Sequence, residues 1–447
     1  MASSRFRLTT IDDAQPGDLN ADRECARRLI AKHGGRFRYL SDEKVWTVLA
    51  DGVWRRDRHM NQMMLFAEEV ADQLQRECLS ETDKARRTRL EKLAKGASTA
   101  AGQRKMLARA QREPGVSLDP SRFDSNPWLI CCLNGALDLR TGQLREHRPD
   151  DYFARQVPVV YDPNARSAEW ESFLSEAQPN PETRSFLQRA AGYSLTGNTD
   201  EEAFLLLHGP TATGKSTFLG ALRSALGDYA VVTPFDTFMA RPRGRQIRND
   251  IARLDGVRFV AVSECNRGDR LDAGQIKSLT GGDVVTARYL RQEFFEFKPQ
   301  CKIWMAVNDR PLVSADDGAV WRRIFEVPFM SQVWESKRSG AVKNRLLDSD
   351  AVGPAILKWA VDGCRDWQRR KLDPPEEVLA ATLAYRAEMA GAPERAQVSD
   401  VPARTSVSQP EVVETPAAGD STSWWRRPWG FFVSFSGSMD VGPGRAE

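Results

Sequence analysis

Residues 209–216 read Gly-Pro-Thr-Ala-Thr-Gly-Lys-Ser, a complete GxxxxGK[ST] loop, and what flanks it decides what the loop can be. Ahead of it Ala203-Phe204-Leu205-Leu206-Leu207-His208 is a short apolar run suited to a strand covered on both faces. Behind it, Ser216 to Leu226 sets Phe218, Leu219, Leu222 and Leu226 on one helical face, with Gly227 placed to end the helix. Strand, glycine loop and helix in that order make a cradle where backbone N–H groups and a helix N-terminus face nucleotide phosphates. In such a cradle Gly209, Thr211, Ala212, Thr213, Gly214 and Thr217 wrap ATP. Lys215 reaches the β- and γ-phosphates, and the Ser216 hydroxyl ligates Mg²⁺. A chance match in a Gly/Thr-rich turn would lack the strand and the helix.

A chain of 447 residues has room for two or three domains with their own cores. Its net charge of +3 says little about partners, but the run from Lys84 to Arg112 holds ten Lys/Arg, interrupted by the single acid Glu91. Such a segment can follow a nucleic-acid backbone; taken alone, a solvated helix face accounts for it better. The seven cysteines show no CxxC spacing and the four histidines add no ligand pattern, which leaves a zinc site without raw material. Cys131-Cys132 falls inside an apolar run from Trp128 to Leu133, as buried thiols do. No run approaches the ~18 apolar residues of a membrane span. The expectation is a reduced, cytoplasmic protein without a membrane partner.

Along the chain, residues 1–20 read as a flexible N-terminus and 21–198 as a helical N-terminal domain. A hairpin signal interrupts the helices, with Tyr39…Val45-Trp46-Thr47-Val48 and Val53-Trp54 flanking Asp51-Gly52. Asn134-Gly135 and Thr141-Gly142 mark a small β-rich connection over 120–165, and Trp170 to Thr196 gives two short helices. Residues 199–330 alternate strands and helices, the mark of an α/β fold with a parallel sheet. A helical segment over 331–395 sets Ile356, Leu357, Ala360, Val361 and Cys364 on one face. The last stretch, 396–447, is rich in Ser, Pro, Thr, Val and Gly without a period and reads as a disordered tail.

A phosphate loop needs an acid at a neighbouring strand end to hold Mg²⁺ and polarise water. Arg258 to Glu264 supplies an apolar strand ending on Glu264, with Ser263 standing where many such enzymes place a first acid. Mg²⁺ would then lean on Ser216 and Glu264. A third strand, Lys302 to Val307, ends on Asn308, whose carboxamide can hydrogen-bond the attacking water or the γ-phosphate. Arg322 and Arg323 follow Asp316-Asp317 and suit an arginine finger supplied from a neighbouring subunit; the plain alternative is a surface salt bridge to those aspartates. Between the second and third strands, Val284 to Arg288 and Glu293 to Phe297 alternate around Tyr289-Leu290-Arg291-Gln292 as a hairpin does. Arg291 at its tip, with Arg288 and Tyr289 close behind, would grip and stack on a nucleic-acid strand. Five further cations, Arg241, Arg243, Arg245, Arg248 and Arg253, suit a channel or subunit interface less well than a solvated loop.

The phosphate loop, the Ser263-Glu264 strand end, Lys277 to Asp283, Asn308 to Pro311 and Trp321-Arg322-Arg323 resemble superfamily three helicases in their order. The phage/plasmid primase-helicase type is the most similar group. Phe123-Asp124, Asn134-Gly135, Asp138 to Gly142 and Gly192 to Gly197 extend the resemblance upstream, so that it covers roughly residues 35–390. It implies an AAA+-like fold, a homohexameric ring, and ATP-driven movement on single-stranded or forked DNA during replication. It also implies roles: Lys215, Ser216 and Glu264 at ATP, Asn308 as sensor, Arg322 or Arg323 as the trans finger, Arg291 as the DNA contact. Many relatives carry a primase domain ahead of the helicase, which the residues before Gly209 do not resemble; a primase or another replication protein is expected to act separately. Two other classes keep a claim on the sequence. A small-molecule kinase shares the phosphate loop but needs neither the hairpin nor a trans arginine. A catalytically weak DNA-binding or assembly factor would keep the fold, and Ser263 favours it.

Overall fold

A computed structural model describes residues 21–240, 248–263, 268–290, 293–332 and 340–391. Outside these lie Glu264, Arg291, Arg241, Arg243, Arg245, and the stretches read above as flexible terminus and disordered tail.

Helix α1 (Ala21–His33) buries Cys25, Ala26, Leu29 and His33, a stripe at helical spacing. Strands β1 (Phe37–Leu40), β2 (Val45–Ala50) and β3 (Val53–Asp57) then form an antiparallel meander. The Asp51-Gly52 turn joins β2 to β3 with both residues at positive φ, 50° and 82°, while the stretch read as one strand from Tyr39 to Val48 is two. Helices α2 (Asn61–Ser80), α3 (Lys84–Ala97) and α4 (Ala100–Ala110) close over that sheet, packing Phe66, Leu74, Leu93 and Met106 against Phe37 and Trp46.

The connection over 120–165 contains β4 (Leu129–Cys132), β5 (Gly135–Asp138) and β6 (Gln143–Arg145), a second antiparallel sheet that buries both Cys131 and Cys132. Helices α5 (Ala168–Ala177) and α6 (Pro181–Leu195) follow, started by Ser167 and Asn180, whose side chains accept the N–H groups of Trp170 and Glu182. The α/β part runs β7 (Phe204–His208), α7 (Lys215–Leu226), β8 (Ala230–Pro234), α8 (Asn249–Ala252), β9 (Phe259–Ser263) and α9 (Ala273–Thr280). It continues with β10 (Val285–Ala287), β11 (Phe295–Phe297), β12 (Lys302–Val307), α10 (Gly318–Trp321) and β13 (Ile324–Pro328). Helices α11 (Gly340–Leu347), α12 (Ser349–Arg370) and α13 (Glu376–Gly391) complete the described chain.

Five strands pair in parallel in the order β13-β7-β12-β9-β8, the AAA+-like α/β arrangement expected. Their unbroken apolar sequences follow from burial on both faces. Leu205, Leu207 and Trp304 face one core with Phe218 of α7 and Ile356 of α12; Phe204, Leu206 and Met305 face the other with Ile276 of α9. The first of these cores also contains Ile130, Leu137, Phe173 and Phe186. Residues 128–195 therefore pack with the sheet across the boundary placed at 198, while α1–α4 keep a core of their own. Among the described residues no helix is long and apolar enough to cross a membrane.

Candidate nucleotide site and its surroundings

Strand β7 has β12 on one side and β13 on the other, although the chain leaves it for the distant edge strand β8. Such a reversal opens a crevice beyond the carboxyl ends of the strands, where ligands of open α/β sheets bind. The loop 209–216 occupies that position. Gly209 has its backbone against the Phe329 carbonyl, and a Cβ there would lie 2.0 Å from that oxygen. Gly214 takes a left-handed conformation (φ 89°) as the N-cap of α7 and offers no side-chain cap. The first-turn N–H groups of α7 are thus left for an outside acceptor, and the helix dipole favours an anion there.

Lys215 lies across the loop, 6% exposed. Its ammonium donates to the carbonyls of Gly209 and Pro210, both at 2.7 Å, and to the Thr213 hydroxyl at 3.3 Å. Burial pulls its pKa below the ordinary lysine value, and among the described residues no carboxylate pairs with it. Thr211, Ala212 and Ser216 are exposed at the mouth, whereas Thr213 is buried and bonds the Pro210 carbonyl. Beside the loop opens a largely apolar cavity of ≈ 490 Å³, walled by Phe173 of α5, Ala212, Gly214 and Thr217, and Val342 and Leu346 of α11. That volume falls within the range of small-ligand sites.

The register aligns the three strand tips. Val307 pairs with His208, and Ala306 with Ser263, so Asn308 and the loop start side by side and β9 ends next to them. Asn308 is exposed; Glu264, the next residue after Ser263, lies outside the described residues. Behind the tips, Glu326 of β13 is fully buried and takes a two-pronged grip from Arg310, at 2.7 and 3.1 Å. His208 Nδ1 sits 2.9 Å from the same carboxylate without hydrogen-bond alignment. Arg310 also reaches Glu388 of α13 at 2.6 Å. Sequence reading missed this pair; its signal was a lone acid inside the apolar strand Ile324-Phe325-Glu326-Val327, which burial obliges to find a cation.

The arginine pair lies at the far end. Phe204 donates to the Arg323 carbonyl at the amino end of β7, about 16 Å of strand away from the loop at ~3.3 Å per residue. The two side chains divide. Arg323, 5% exposed, donates to the Ala319 carbonyl at 2.5 Å and to the Thr280 hydroxyl, and pairs with Glu202 at 2.8 Å. The Arg323 guanidinium is thus engaged by partners within its own chain, which leaves Arg322 the freer of the two. Arg322 is 64% exposed with only a 3.4 Å approach to Glu202. Neither pairs with Asp317, which Lys277 holds at 3.0 Å.

The hairpin forms as read, with Val285 opposite Phe297 and Ala287 opposite Phe295. Arg288 lies over the Phe294 ring at 4.6 Å. Tyr289 is already half engaged: its ring stacks on Phe295 at 5.7 Å and its hydroxyl donates to the Ala252 carbonyl. Leu290 and Phe294 are exposed beside them, apolar groups the sequence reading did not single out. Of the further cations, Arg248 is tied to Asp250 and to the Thr237 carbonyl.

Comparison with known proteins agrees with this architecture. A family model described as "D5 N terminal like" matches residues 26–179, and one described as a family of unknown function (DUF5906) matches residues 207–323. "Putative helicase L207/L206" of Acanthamoeba polyphaga mimivirus is 28% identical over 61% of this chain and 30% of its own length. "Putative helicase 022R" of Frog virus 3 (isolate Goorha) is 27% identical over 60% of this chain and 36% of its own. "Primase D5" of Fowlpox virus (strain NVSL) is 25% identical over 49% and 30%. The chain thus spans about a third of the length of these curated relatives. An apo structure of the NrS-1 C-terminal region shares the fold at a TM-score of 0.50 and 10% identity, over 82% of this chain and 75% of that one. By these matches the chain is similar to viral proteins named as putative helicases and as a D5 primase. The α/β domain lies between the region matched by the D5 N-terminal model and a helical C-terminal segment.

Proposed function

We propose that the chain is an ATP hydrolase that drives movement along single-stranded or forked DNA in replication, assembled as a homohexamer. The observation that carries this reading is the alignment of three neighbouring strand tips around the loop holding Lys215. The triphosphate would lie on the first-turn amides of α7, taking Lys215 from the loop carbonyls, with the base and ribose in the cavity beside Phe173. Mg²⁺, when bound, neutralises charge between the β- and γ-phosphates; Ser216 and Glu264 would hold it, the phosphates supplying the remaining oxygens. Glu264 would orient the attacking water and Asn308 would hydrogen-bond it or the γ-phosphate.

A subunit cannot complete its own site with Arg322, which stands at the opposite end of the sheet. A neighbour's Arg322 would do so, making hydrolysis depend on assembly. The hairpin, with Arg288, Tyr289 and the tip residue Arg291, would carry the motion to DNA.

Steady-state ATP hydrolysis with and without single-stranded DNA tests the proposal. Wild type should be stimulated by DNA and Lys215→Ala should be inactive. Arg291→Ala should keep basal hydrolysis but lose the stimulation. Wild-type protein that binds DNA without hydrolysing ATP would favour the inert assembly factor instead.

A further inference from the structure

Neither the loop nor the hairpin uses the basic run from Lys84 to Arg112. It folds as two successive helices that bury a narrow stripe each, Leu93, Ala94 and Ala97 on α3 and Met106, Leu107 and Ala110 on α4. The opposite faces carry Lys84, Lys92, Lys95, Arg104 and Lys105, all exposed. Three of the run's cations have acid partners: Arg87 with Glu91 at 3.4 Å, Arg89 with Glu24 at 2.6 Å and Arg109 with Glu113 at 3.1 Å. Among the described residues the other cations of the run have no ion pair.

This distribution works against the helices that carry it. Helix α3 opens on the Asp83 cap, whose carboxylate accepts the Arg86 N–H at 2.8 Å, but Lys84, Arg86 and Arg87 fill the turn behind it with no further acid. Lys92 and Lys95 are like-charged neighbours one turn apart with no acid holding either; Arg86 and Arg89, Arg89 and Lys92, and Lys105 and Arg109 are further such pairs, each with one member held by an acid. A face selected for solvation alone would intersperse acids, as α2 does with Glu68, Glu69 and Asp72. The excess is regional as well. Residues 21–117 contain 21 Lys/Arg against 14 Asp/Glu, an excess larger than the +3 of the whole chain. Local rules broken without an internal gain are the mark of a functional surface.

We propose that the outer faces of α3 and α4 bind the phosphate backbone of nucleic acid, as a second contact surface distinct from the β10–β11 hairpin. The proposal rests on the reading above only for which nucleic acid the protein meets. A polyanion offsets the repulsion that the helices carry when free, and evenly spread cations read charge rather than sequence.

The test is a full-length K84Q/K92Q/K95Q/R104Q/K105Q variant, compared with wild type by fluorescence anisotropy on a single strand and a duplex of equal length across a salt series. The slope of log affinity against log salt should become shallower by about 3 to 4, and affinity near 0.15 M salt should fall by at least about tenfold. Its thermal midpoint should be unchanged or higher, since repulsion has been removed; a merely structural role would lower it. An unchanged salt slope in the folded variant overturns the proposal, as does wild-type binding to poly-glutamate as tight as to DNA. Loss confined to one DNA form supports it and says which form the surface holds. A variant that keeps its slope while wild type shows DNA-stimulated hydrolysis sinks this surface and spares the motor. A steep wild-type slope lost in the variant, with no hydrolysis in either, does the reverse.

Discussion

The two ends of the five-stranded sheet handle positive charge in opposite ways. At the amino end, Arg258 is fully buried, donating to the carbonyls of Leu195 and Asn126 and lying 4.9 Å over the Tyr229 ring. Lys302, also buried, donates to the carbonyls of Thr196, Asn198 and Gln300, and burial drives its pKa well below the lysine norm. Arg323 is committed to Glu202, Thr280 and Ala319. At the carboxyl end, Lys215 is buried too, but the oxygens it holds belong to its own loop. The sequence distance of the partner is what distinguishes the ends. Cations that bond carbonyls from other segments fix residues 120–198 to the sheet, and losing one leaves those carbonyls unpaired. A cation bonded within one loop can exchange its partners for phosphate oxygens while the fold stays intact.

The contrast is most exposed to failure at the adjacent arginines. Arg322→Ala should lower turnover of the assembled protein by about 10³-fold, in line with arginine fingers, and leave the denaturation midpoint where it was. Arg323→Ala should do the opposite, costing about 1 to 3 kcal/mol in urea denaturation because it removes the buried guanidinium that ties Glu202, the Thr280 hydroxyl and the Ala319 carbonyl together. A stable Arg323→Ala protein with a turnover defect would erase the division. The next effect concerns pH. Folded-state desolvation lowers the Lys215 pKa, so its charge is present below that value and lost as pH rises through it, before the ordinary 10.5. Triphosphate affinity, measured by titration calorimetry, should therefore decline on the alkaline side by about tenfold per unit, and the decline should vanish in Lys215→Ala. The smallest change is expected from alkylating reagents. Cys25, Cys78, Cys131, Cys132, Cys301 and Cys364 are buried, with the Cys131 thiol pushed up to about 12 and Cys25 to about 11 by burial. Mass spectrometry at pH 8 should find these six unlabelled until urea is added.

Periodicity made much of this legible. The strands ending at His208 and Val307 and the hairpin around Tyr289 were readable because an apolar run, a turn and a glycine each impose a local backbone. The order in which strands associate was not, since nothing local states that β12 inserts between β7 and β9. Arg322 and Arg323 could not be separated either: one position along the chain decides which side chain turns inward to Glu202 and which turns to solvent. The Arg310–Glu326 grip was half visible, as an acid that could not remain alone; its partner came from a loop sixteen positions earlier. The β1 strand was merged with β2 because the intervening Ser41 to Lys44 turn lacks glycine and proline, and Lys44 supplies the positive φ of 53° instead.

Helix α13 sits outside every motif, yet three of its side chains reach β13 and the segment that follows Asn308. Thr382 accepts the Glu326 N–H, the Tyr385 hydroxyl donates to the Pro311 carbonyl, and Arg386 donates to that of Ala315. The segment beyond Asn308 is consequently bolted to a keel rather than left as a free rim. Pressure on the outer flank of that keel would be felt first between Pro311 and Ala315, the stretch that follows Asn308.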